Sequence, residues 1–320
     1  MTAPKVVLEN EHFRLEKLAE GIYAAIATLE GGAMSNAGIV DLGDETLVFD
    51  AFLTRAAAKE LRAAAEELTG RAPRYLVDSH FHGDHVLGNC VFLPEAAILA
   101  SVGTAAMMTA QEGSSDEEDR AELAEAIEQL EKALAEETDE IVRFNYEGNL
   151  YPRKHLFEEL PMVRALPTVV FDGTLEIRGS GRTVQLVASD RTHTEGDVRL
   201  FCPDDRVVFL GDLGFFKDLP AYVAPQGDAA AWANALRELE SLAADAFVPG
   251  HGDVGGAPEL SAQRGFLDAT VEAAQAVAAG GGTVDDVVDR MRGTEYAKWE
   301  KTTLYKASLE AVFRKTAESA

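Results

Sequence analysis

Short apolar runs separated by glycine-containing turns make up much of the chain between Phe13 and Ala51. Ile22–Ile26, Gly38–Leu42 and Thr46–Phe49 are three such runs. Apolar segments of roughly four to eight residues bounded by turn residues are typical of β-strands. The pattern therefore predicts a meander of strands in this part of the chain.

The hydrophobic period then lengthens to that of an α-helix between Thr54 and Gly70. One face of this segment is apolar, and it comprises Ala57, Leu61, Ala64, Ala65 and Leu68. Glycine just after the last periodic residue is a common helix end. Arg74–Asp78, which follows, is predicted to form a short buried strand.

From about residue 101 to residue 167 the period is helical again. The acidic run Asp116–Asp119 suits a helix N-terminus. Apolar residues then recur at Leu123, Ile127, Leu130, Leu134 and Ile141. We predict a helical insertion that packs on the edge of the domain rather than a substrate lid. Long excursions often reach over active sites, however, so Tyr151, where this insertion returns to the sheet, is predicted to help shape a substrate pocket.

Strands resume at Thr168–Phe171, and Trp232–Leu242 is predicted to be an amphipathic helix. Beyond Gly255 the pattern is helical. These features predict one catalytic domain, residues 1–255, and a helical C-terminal extension, residues 256–320, packed on the same domain. Trp299 and Tyr305 in this extension either cover the sheets or form a dimer contact, and the oligomeric state stays open.

Composition narrows the classes of function. The chain has 320 residues, 47% of them hydrophobic, and a net charge of −26. That length allows a large core, and the shortage of lysine and arginine argues against nucleic acid as a partner. The N-terminus lacks a secretory signal pattern, and no apolar run reaches the roughly 18 residues of a membrane span. Cys90 and Cys202 are too few for a disulfide framework. The sequence therefore predicts a cytoplasmic protein that acts on a small molecule.

Three of the seven histidines lie within the segment His80–His85, together with Asp84. His80 and His82 can converge on one point, whereas Asp84 and His85 lie across the turn, so two adjacent metal positions are predicted. Imidazole and carboxylate ligands together suit zinc, with iron or manganese as competitors.

Three more ligand-type side chains stand near the ends of predicted strands. His193 lies between two strand-like runs, Asp212 ends an apolar run, and His251 is flanked by Gly250 and Gly252. Loops at one edge of a sheet often gather binding residues. These side chains are therefore predicted to meet the histidine-rich segment.

This order of histidines and acids resembles that of the metallo-β-lactamase superfamily. The similarity runs from about Gly21 to Gly252 and includes the fragments Asn36–Val40, Thr46–Asp50, Gly211–Asp212 and Pro249–Gly252. It implies an α/β fold, the αββα sandwich of two mixed β-sheets flanked by helices, here with a helical insertion and a helical C-terminal tail.

The resemblance also implies a ligand set. His80, His82 and His193 would hold a first metal, Asp84, His85 and His251 a second, and Asp212 would bridge the two. Asp84 and Asp212 are also the expected catalytic carboxylates, which would orient water or move its proton. The family usually has glycine before the third histidine, where this chain has Thr192. His82 stands where the flavodiiron branch commonly carries glutamate, which disfavours that redox chemistry.

The expected function is that of a hydrolase with two zinc ions per chain. Two metals roughly 3.5–4 Å apart lower the pKa of a shared water, so that a metal-bound hydroxide can attack a small ester, thioester, lactone or lactam. The alternatives are a mononuclear iron-dependent persulfide dioxygenase and a metal-stabilised binding protein without turnover. Phe215 and Phe216 either line the substrate pocket or close the core. Lys217 is predicted to receive a substrate carboxylate.

Overall fold

Two β-sheets packed face to face form the centre of the protein. The computed structural model describes residues 4–111, 115–217 and 219–318. The first sheet has eight strands in chain order: β1 (Lys5–Glu9), β2 (Phe13–Ala19), β3 (Ile22–Ala27), β4 (Ala37–Asp41), β5 (Thr46–Phe49), β6 (Tyr75–Val77), β7 (Ala97–Ser101) and β8 (Val169–Phe171). Strands β1 to β5 are antiparallel, and β5 to β8 are parallel. The predicted meander is therefore confirmed.

The second sheet has five strands and is also mixed. Its strands are β9 (Thr174–Arg178), β10 (Thr183–Ala188), β11 (Val198–Cys202), β12 (Val207–Phe215) and β13 (Ala246–His251), in the spatial order β13-β12-β11-β10-β9. Only β12 and β13 run parallel within this sheet, over the described residues. Apolar side chains from both sheets share one buried core, in which the rings of Phe49 and Phe209 lie 5.8 Å apart.

Helices cover both outer faces of this sandwich. α1 (Arg55–Thr69) packs its apolar face on the first sheet, and its ends are those predicted. The side chain of Thr54 accepts a hydrogen bond from Ala57 N, and Gly70 ends the helix with a φ of 74°. The outer face of the second sheet carries α6 (Ala229–Ser241), α7 (Ala257–Ala279), α8 (Val284–Arg292) and α9 (Thr303–Glu318). The predicted αββα sandwich with a helical tail is confirmed.

The insertion between β7 and β8 is helical, as predicted, but its helix boundaries differ from those that the periodicity suggests. It contains α3 (Val102–Ala110), α4 (Asp116–Glu136) and α5 (Glu140–Glu158). Ile141, which the periodicity placed in the same helix as Leu123, belongs to α5, because the Asp139 side chain accepts hydrogen bonds from Ile141 N and Val142 N and begins a new helix. The insertion is attached to α1 through Glu159, whose carboxylate accepts hydrogen bonds from Arg55 N at 2.6 Å and Ala56 N at 2.7 Å.

The strand after the insertion occupies a different sheet from the one its sequence neighbours suggest. Thr168–Phe171 is predicted to open the second run of strands, yet β8 pairs in parallel with β7 at the edge of the first sheet. The turn at Gly173, with a φ of 65°, then carries the chain across to β9 in the second sheet.

The C-terminal helices hold the end of β12 and the segment after it. Gln263 on α7 accepts a hydrogen bond from Phe215 N at 2.8 Å and donates one to Leu213 O at 2.7 Å. Ser308 on α9 donates to Ala221 O at 2.9 Å. Trp299 and Tyr305 are buried in this chain's own core against Phe266, which fits the interpretation that they cover the sheet.

Three short elements complete the described chain: α2 (Gly83–Val86) and the 3₁₀ turns Asn89–Phe92 and Glu295–Trp299. Within the described ranges, no helix has both the length and the apolar character needed to cross a bilayer.

Candidate metal centre

The seven predicted ligands meet at one edge of the sandwich. They arrive on the loop after β6, on α2, on the loop between β10 and β11, within β12 and at the end of β13. Their ligand atoms form two groups, each with all atoms within 4.8 Å of one another: His80, His82, His193 and Asp212 in the first, and Asp84, His85 and His251 in the second. The convergence expected of loops at a sheet edge is therefore present.

The first group is compact. His82 Nδ1 lies 2.9 Å from His80 Nε2 and 3.2 Å from His193 Nε2. The Oδ2 atom of Asp212 lies 3.6 Å from His80 Nε2 and 3.3 Å from His193 Nε2. Three ring nitrogens and one carboxylate oxygen thus face a common point.

The second group faces the other oxygen of the same aspartate. Asp212 Oδ1 lies 3.2 Å from His85 Nε2 and 3.4 Å from His251 Nε2. Asp84 Oδ2 lies 3.5 Å from His85 Nε2 and 3.3 Å from His251 Nε2. Asp212 therefore stands between the groups and presents one oxygen to each.

In His193 and His85, the hydrogen bond made by the ring nitrogen that points away from the site determines which nitrogen faces into the site. His193 Nδ1 lies 2.7 Å from Tyr222 O, and because a carbonyl oxygen only accepts, this nitrogen carries the proton. His85 Nδ1 lies 2.8 Å from Asp50 Oδ2, which likewise favours a proton on Nδ1. The Nε2 atoms of both rings then point into the site, as they do in metal-binding histidines whose other ring nitrogen donates a hydrogen bond to a nearby acceptor.

Two buried polar atoms in the site, His85 Nε2 and Asp212 Oδ1, form no hydrogen bond within the described protein although they lie 3.2 Å apart. Leaving a buried acceptor unsatisfied costs about 1–3 kcal/mol, and more for a charged group. A cation would satisfy both atoms, so the residues fit a divalent metal.

Burial and the facing charges shift the pKa values of the candidate ligands in opposite directions. Burial lowers the pKa of His80 well below its ordinary value and that of His82 to about 4, so both rings are neutral near pH 7. Burial alone would raise the pKa of Asp212, but the facing imidazoles of His251 and His85 hold it well below the usual range. Burial alone would lower the pKa of His251, yet Asp212 and Asp84 raise it to about 9. The carboxylates therefore stay ionised, whereas His251 carries a proton near pH 7 that a bound cation would displace.

Gly250 is required where the His251 loop passes Asp212. A Cβ atom at Gly250 would lie 2.0 Å from Asp212 Oδ1, a distance no side chain could accommodate. Asn36 fixes the same loop, since its Nδ2 donates to Pro249 O at 2.9 Å and to Gly252 O at 2.8 Å. The glycine-flanked position of His251 thus reflects close approach to a ligand carboxylate.

Thr192 fits in the loop before His193 because its backbone is not left-handed; its φ is not positive. Thr192 Oγ1 instead donates to the Asp197 carboxylate, which also accepts a hydrogen bond from Thr194 N at 2.8 Å. The hydrogen bonds to Asp197 therefore hold the turn at His193 in a shape that does not require glycine at residue 192.

Asp50 is a supporting residue that the sequence reasoning missed. It is fully buried, has a φ of 62°, and accepts a hydrogen bond from Ser79 N at 2.7 Å besides facing His85. Its only sequence signal is a carboxylate directly after a buried strand. It orients His85 rather than contacting a metal position.

Replacing Asp50 with asparagine is expected to weaken metal binding by about 10- to 100-fold, the usual effect of removing such a supporting carboxylate. Asparagine keeps the size and tolerates the left-handed backbone, so the charge is what changes. Competition with a chromogenic chelator measures the affinity, and Asp172→Asn, at an exposed turn, is the control. Equal affinities for the two variants would show that Asp50 does not support His85.

The residues predicted to bind substrate lie around this centre in different environments. The ring of Phe215 stacks on His251 at 5.1 Å, but Phe215 and Phe216 are both buried in the core, which fits the second of the two interpretations above. Lys217 is exposed and forms an ion pair with Asp253 at 2.8 Å. Tyr151 is partly buried on α5. Their roles toward a substrate stay predictions.

The chain belongs to the metallo-beta-lactamase superfamily. The sequence profile of that superfamily matches residues 31–251, which include all seven candidate ligands. No curated protein sequence matches this chain significantly.

Solved structures share the fold at low sequence identity. The stereoselective inverting sec-alkylsulfatase Pisa1 from a Pseudomonas species superposes with a TM-score of 0.69 at 16% identity, over 94% of this chain and 50% of that one. This chain thus spans about half the length of the sulfatase. DIM-1 metallo-beta-lactamase gives a TM-score of 0.57 at 13% identity, over 80% of this chain and 97% of that one. A metallo-beta-lactamase from Pontibacter korlensis gives 0.54 at 16% identity, over 83% and 99%.

Proposed function

We propose that this protein is a hydrolase that binds two zinc ions per chain and cleaves a small ester, thioester, lactone or lactam. The observation that supports the proposal most strongly is the position of Asp212, whose two oxygens face separate groups of histidines. A carboxylate in that position can bridge two cations. Membership of a superfamily with the metallo-beta-lactamase fold and an imidazole-rich ligand set suits the same chemistry.

The proposed ligands are those of the two groups described above. His80, His82 and His193 would hold one ion, Asp84, His85 and His251 the other, and Asp212 would contact both. When bound, such a pair of ions supplies Lewis acidity toward a carbonyl or ester oxygen and makes water acidic near neutral pH.

The chain's own carboxylates have different access to a reacting water. The side chain of Asp84 is 15% exposed, whereas that of Asp212 is 4% exposed. Water entering the site therefore reaches Asp84 first. We assign Asp84 the role of orienting this water and accepting a hydrogen bond from it, and Asp212 the role of holding the two groups of ligands in register.

A substrate panel tests this function. Zinc-loaded and metal-free protein are compared on chromogenic ester, thioester, lactone and lactam substrates, with a secondary alkyl sulfate added because of the similarity to Pisa1. We expect at least one of these substrates to be hydrolysed by the zinc-loaded protein, with turnover lost in the metal-free sample. Failure on every substrate would overturn the proposal. Oxygen consumption with a persulfide by iron-loaded protein would favour the dioxygenase instead.

A further inference from the structure

One arginine on the helical insertion has no acidic partner although the chain is strongly acidic. Arg153 lies on α5 and is partly buried, and its Nη1 donates to Asn149 O at 2.8 Å and to Asn149 Oδ1 at 3.0 Å. No carboxylate in the described chain lies within ion-pair distance of it, whereas its neighbour Lys154 pairs with Glu131 at 2.6 Å. The guanidinium thus keeps donors that the protein does not use.

The helix that carries Arg153 lies against the metal-site loops. His155 Nε2 lies 3.0 Å from Glu30 O, in the loop between β3 and β4. Ser35 in that same loop donates a hydrogen bond to Asp84 O at 2.5 Å. The apolar side chains of Leu156 and Leu53 share a cluster with Leu87, which directly follows α2. The insertion is therefore built against the segment that bears Asp84 and His85.

The electrostatic surroundings of Arg153 point in the same direction. Burial lowers its pKa, and the negative charge of Asp84 partly opposes this shift. Asp84 belongs to the candidate metal centre. Arg55 and Lys217, by contrast, each pair with an acid, Arg55 with Glu159 and Lys217 with Asp253.

We propose that Arg153 binds an oxyanion group of the substrate, a carboxylate or a sulfate, next to the bond that the metal centre cleaves. This inference rests on the proposed hydrolase function and narrows its substrates to those that carry such a group. A guanidinium presents several donors in a plane that matches a carboxylate or sulfate. An arginine without an acidic partner can therefore hold an anionic substrate in one defined orientation.

The helical insertion then serves as part of the substrate site as well as a packing element. This differs from the expectation that it only packs on the edge of the domain. Arg153 would act on substrate binding and orientation, while the ligands of the metal centre act on the chemistry.

The test compares Arg153→Gln with Lys154→Gln in zinc-loaded protein. Both variants lose one positive charge at adjacent positions of the same helix, but Lys154 is paired with an acid on α4. Two substrates are used, 4-nitrophenyl acetate and 4-nitrophenyl hydrogen succinate. The succinate carries one additional carboxymethyl group and therefore a carboxylate that the acetate lacks. We expect the ratio of KM for the succinate to KM for the acetate to rise roughly 10- to 100-fold in Arg153→Gln, the usual size of a charge-assisted hydrogen bond. The ratio should stay at the wild-type value in Lys154→Gln, and Arg153→Lys should recover part of the loss.

A binding measurement separates this proposal from the hydrolase proposal. Calorimetry of inorganic sulfate and of acetate with the zinc-loaded proteins requires no turnover. We expect Arg153→Gln to bind at least one of these anions roughly tenfold or more weakly than Lys154→Gln does. If wild-type protein hydrolyses no substrate of the panel but this difference is found, the hydrolase proposal fails and the anion site stands. If both variants bind both anions equally, or if the KM ratio is unchanged, the role of Arg153 is refuted whatever the hydrolase result.

Discussion

Replacing Asp212 with alanine is expected to lower kcat/KM by at least about 10³-fold and to reduce the metal content of the purified protein. Stabilisation of a transition state by bound metal amounts to several kcal/mol, and each factor of ten in rate corresponds to roughly 1.4 kcal/mol. Because the two oxygens of Asp212 face His193 and His85 at 3.3 and 3.2 Å, its loss affects both groups of ligands together.

The matched control for this prediction is Asp245→Ala. Asp245 is an exposed aspartate whose carboxylate pairs with Arg206. This pair lies at the start of strands β12 and β13, away from the ends that carry Asp212 and His251. This control variant should keep wild-type kinetics and metal content. Circular dichroism of both variants establishes whether the Asp212→Ala protein is folded. A folded Asp212→Ala protein with wild-type activity and metal content would contradict the assignment.

Removing metal with a chelator is expected to abolish turnover and to lower the midpoint of thermal unfolding by on the order of 10 °C. An ion that binds only the folded state stabilises it by about 4 kcal/mol at a concentration 1,000 times its dissociation constant. Each kcal/mol shifts the midpoint by roughly 2–4 °C in a large domain.

The metal used for reconstitution provides the control. Zinc should restore the unfolding midpoint, because imidazole nitrogens suit zinc, whereas magnesium should not, because it prefers oxygen ligands and water. Differential scanning calorimetry measures the midpoint, and turnover of the best panel substrate is followed in parallel. An identical midpoint and identical turnover with and without chelator would be inconsistent with a metal centre.

The parts of this architecture that could be predicted from the sequence are those that a strong local pattern of residues indicates. The helix from Thr54 to Gly70 carried an apolar face, a capping residue and a terminating glycine, and the structure agrees at both ends. The histidine-rich segment placed several ligand-type side chains within a few residues. Such density has few explanations other than metal, so the approximate position of the site followed directly.

Other features depend on contacts between distant segments and have no local signal. β8 pairs with β7 although helices α3 to α5 separate the two strands, so its sheet could not be predicted from neighbouring strands. The boundary between α4 and α5 depends on hydrogen bonds from the backbone to Asp139, and apolar periodicity does not detect them.

The supporting residues of the metal centre were hidden for a related reason. Tyr222 supports His193 through a backbone carbonyl, which any residue could supply. Asp50 faces His85 across 35 residues of sequence, and the insertion that carries Arg153 reaches the site only because it folds back against the loop that contains Glu30 and Ser35. The ligand types could be predicted from the sequence, whereas the residues that orient them required the fold.

The most direct test of the central claim is the stoichiometry of zinc binding to metal-free protein, measured by isothermal titration calorimetry with atomic absorption of the loaded product. The two groups of ligands that share Asp212 predict two zinc ions bound per chain. Fewer than two should bind to Asp212→Ala. Binding of a single ion, or of none, by the wild-type chain would contradict the account.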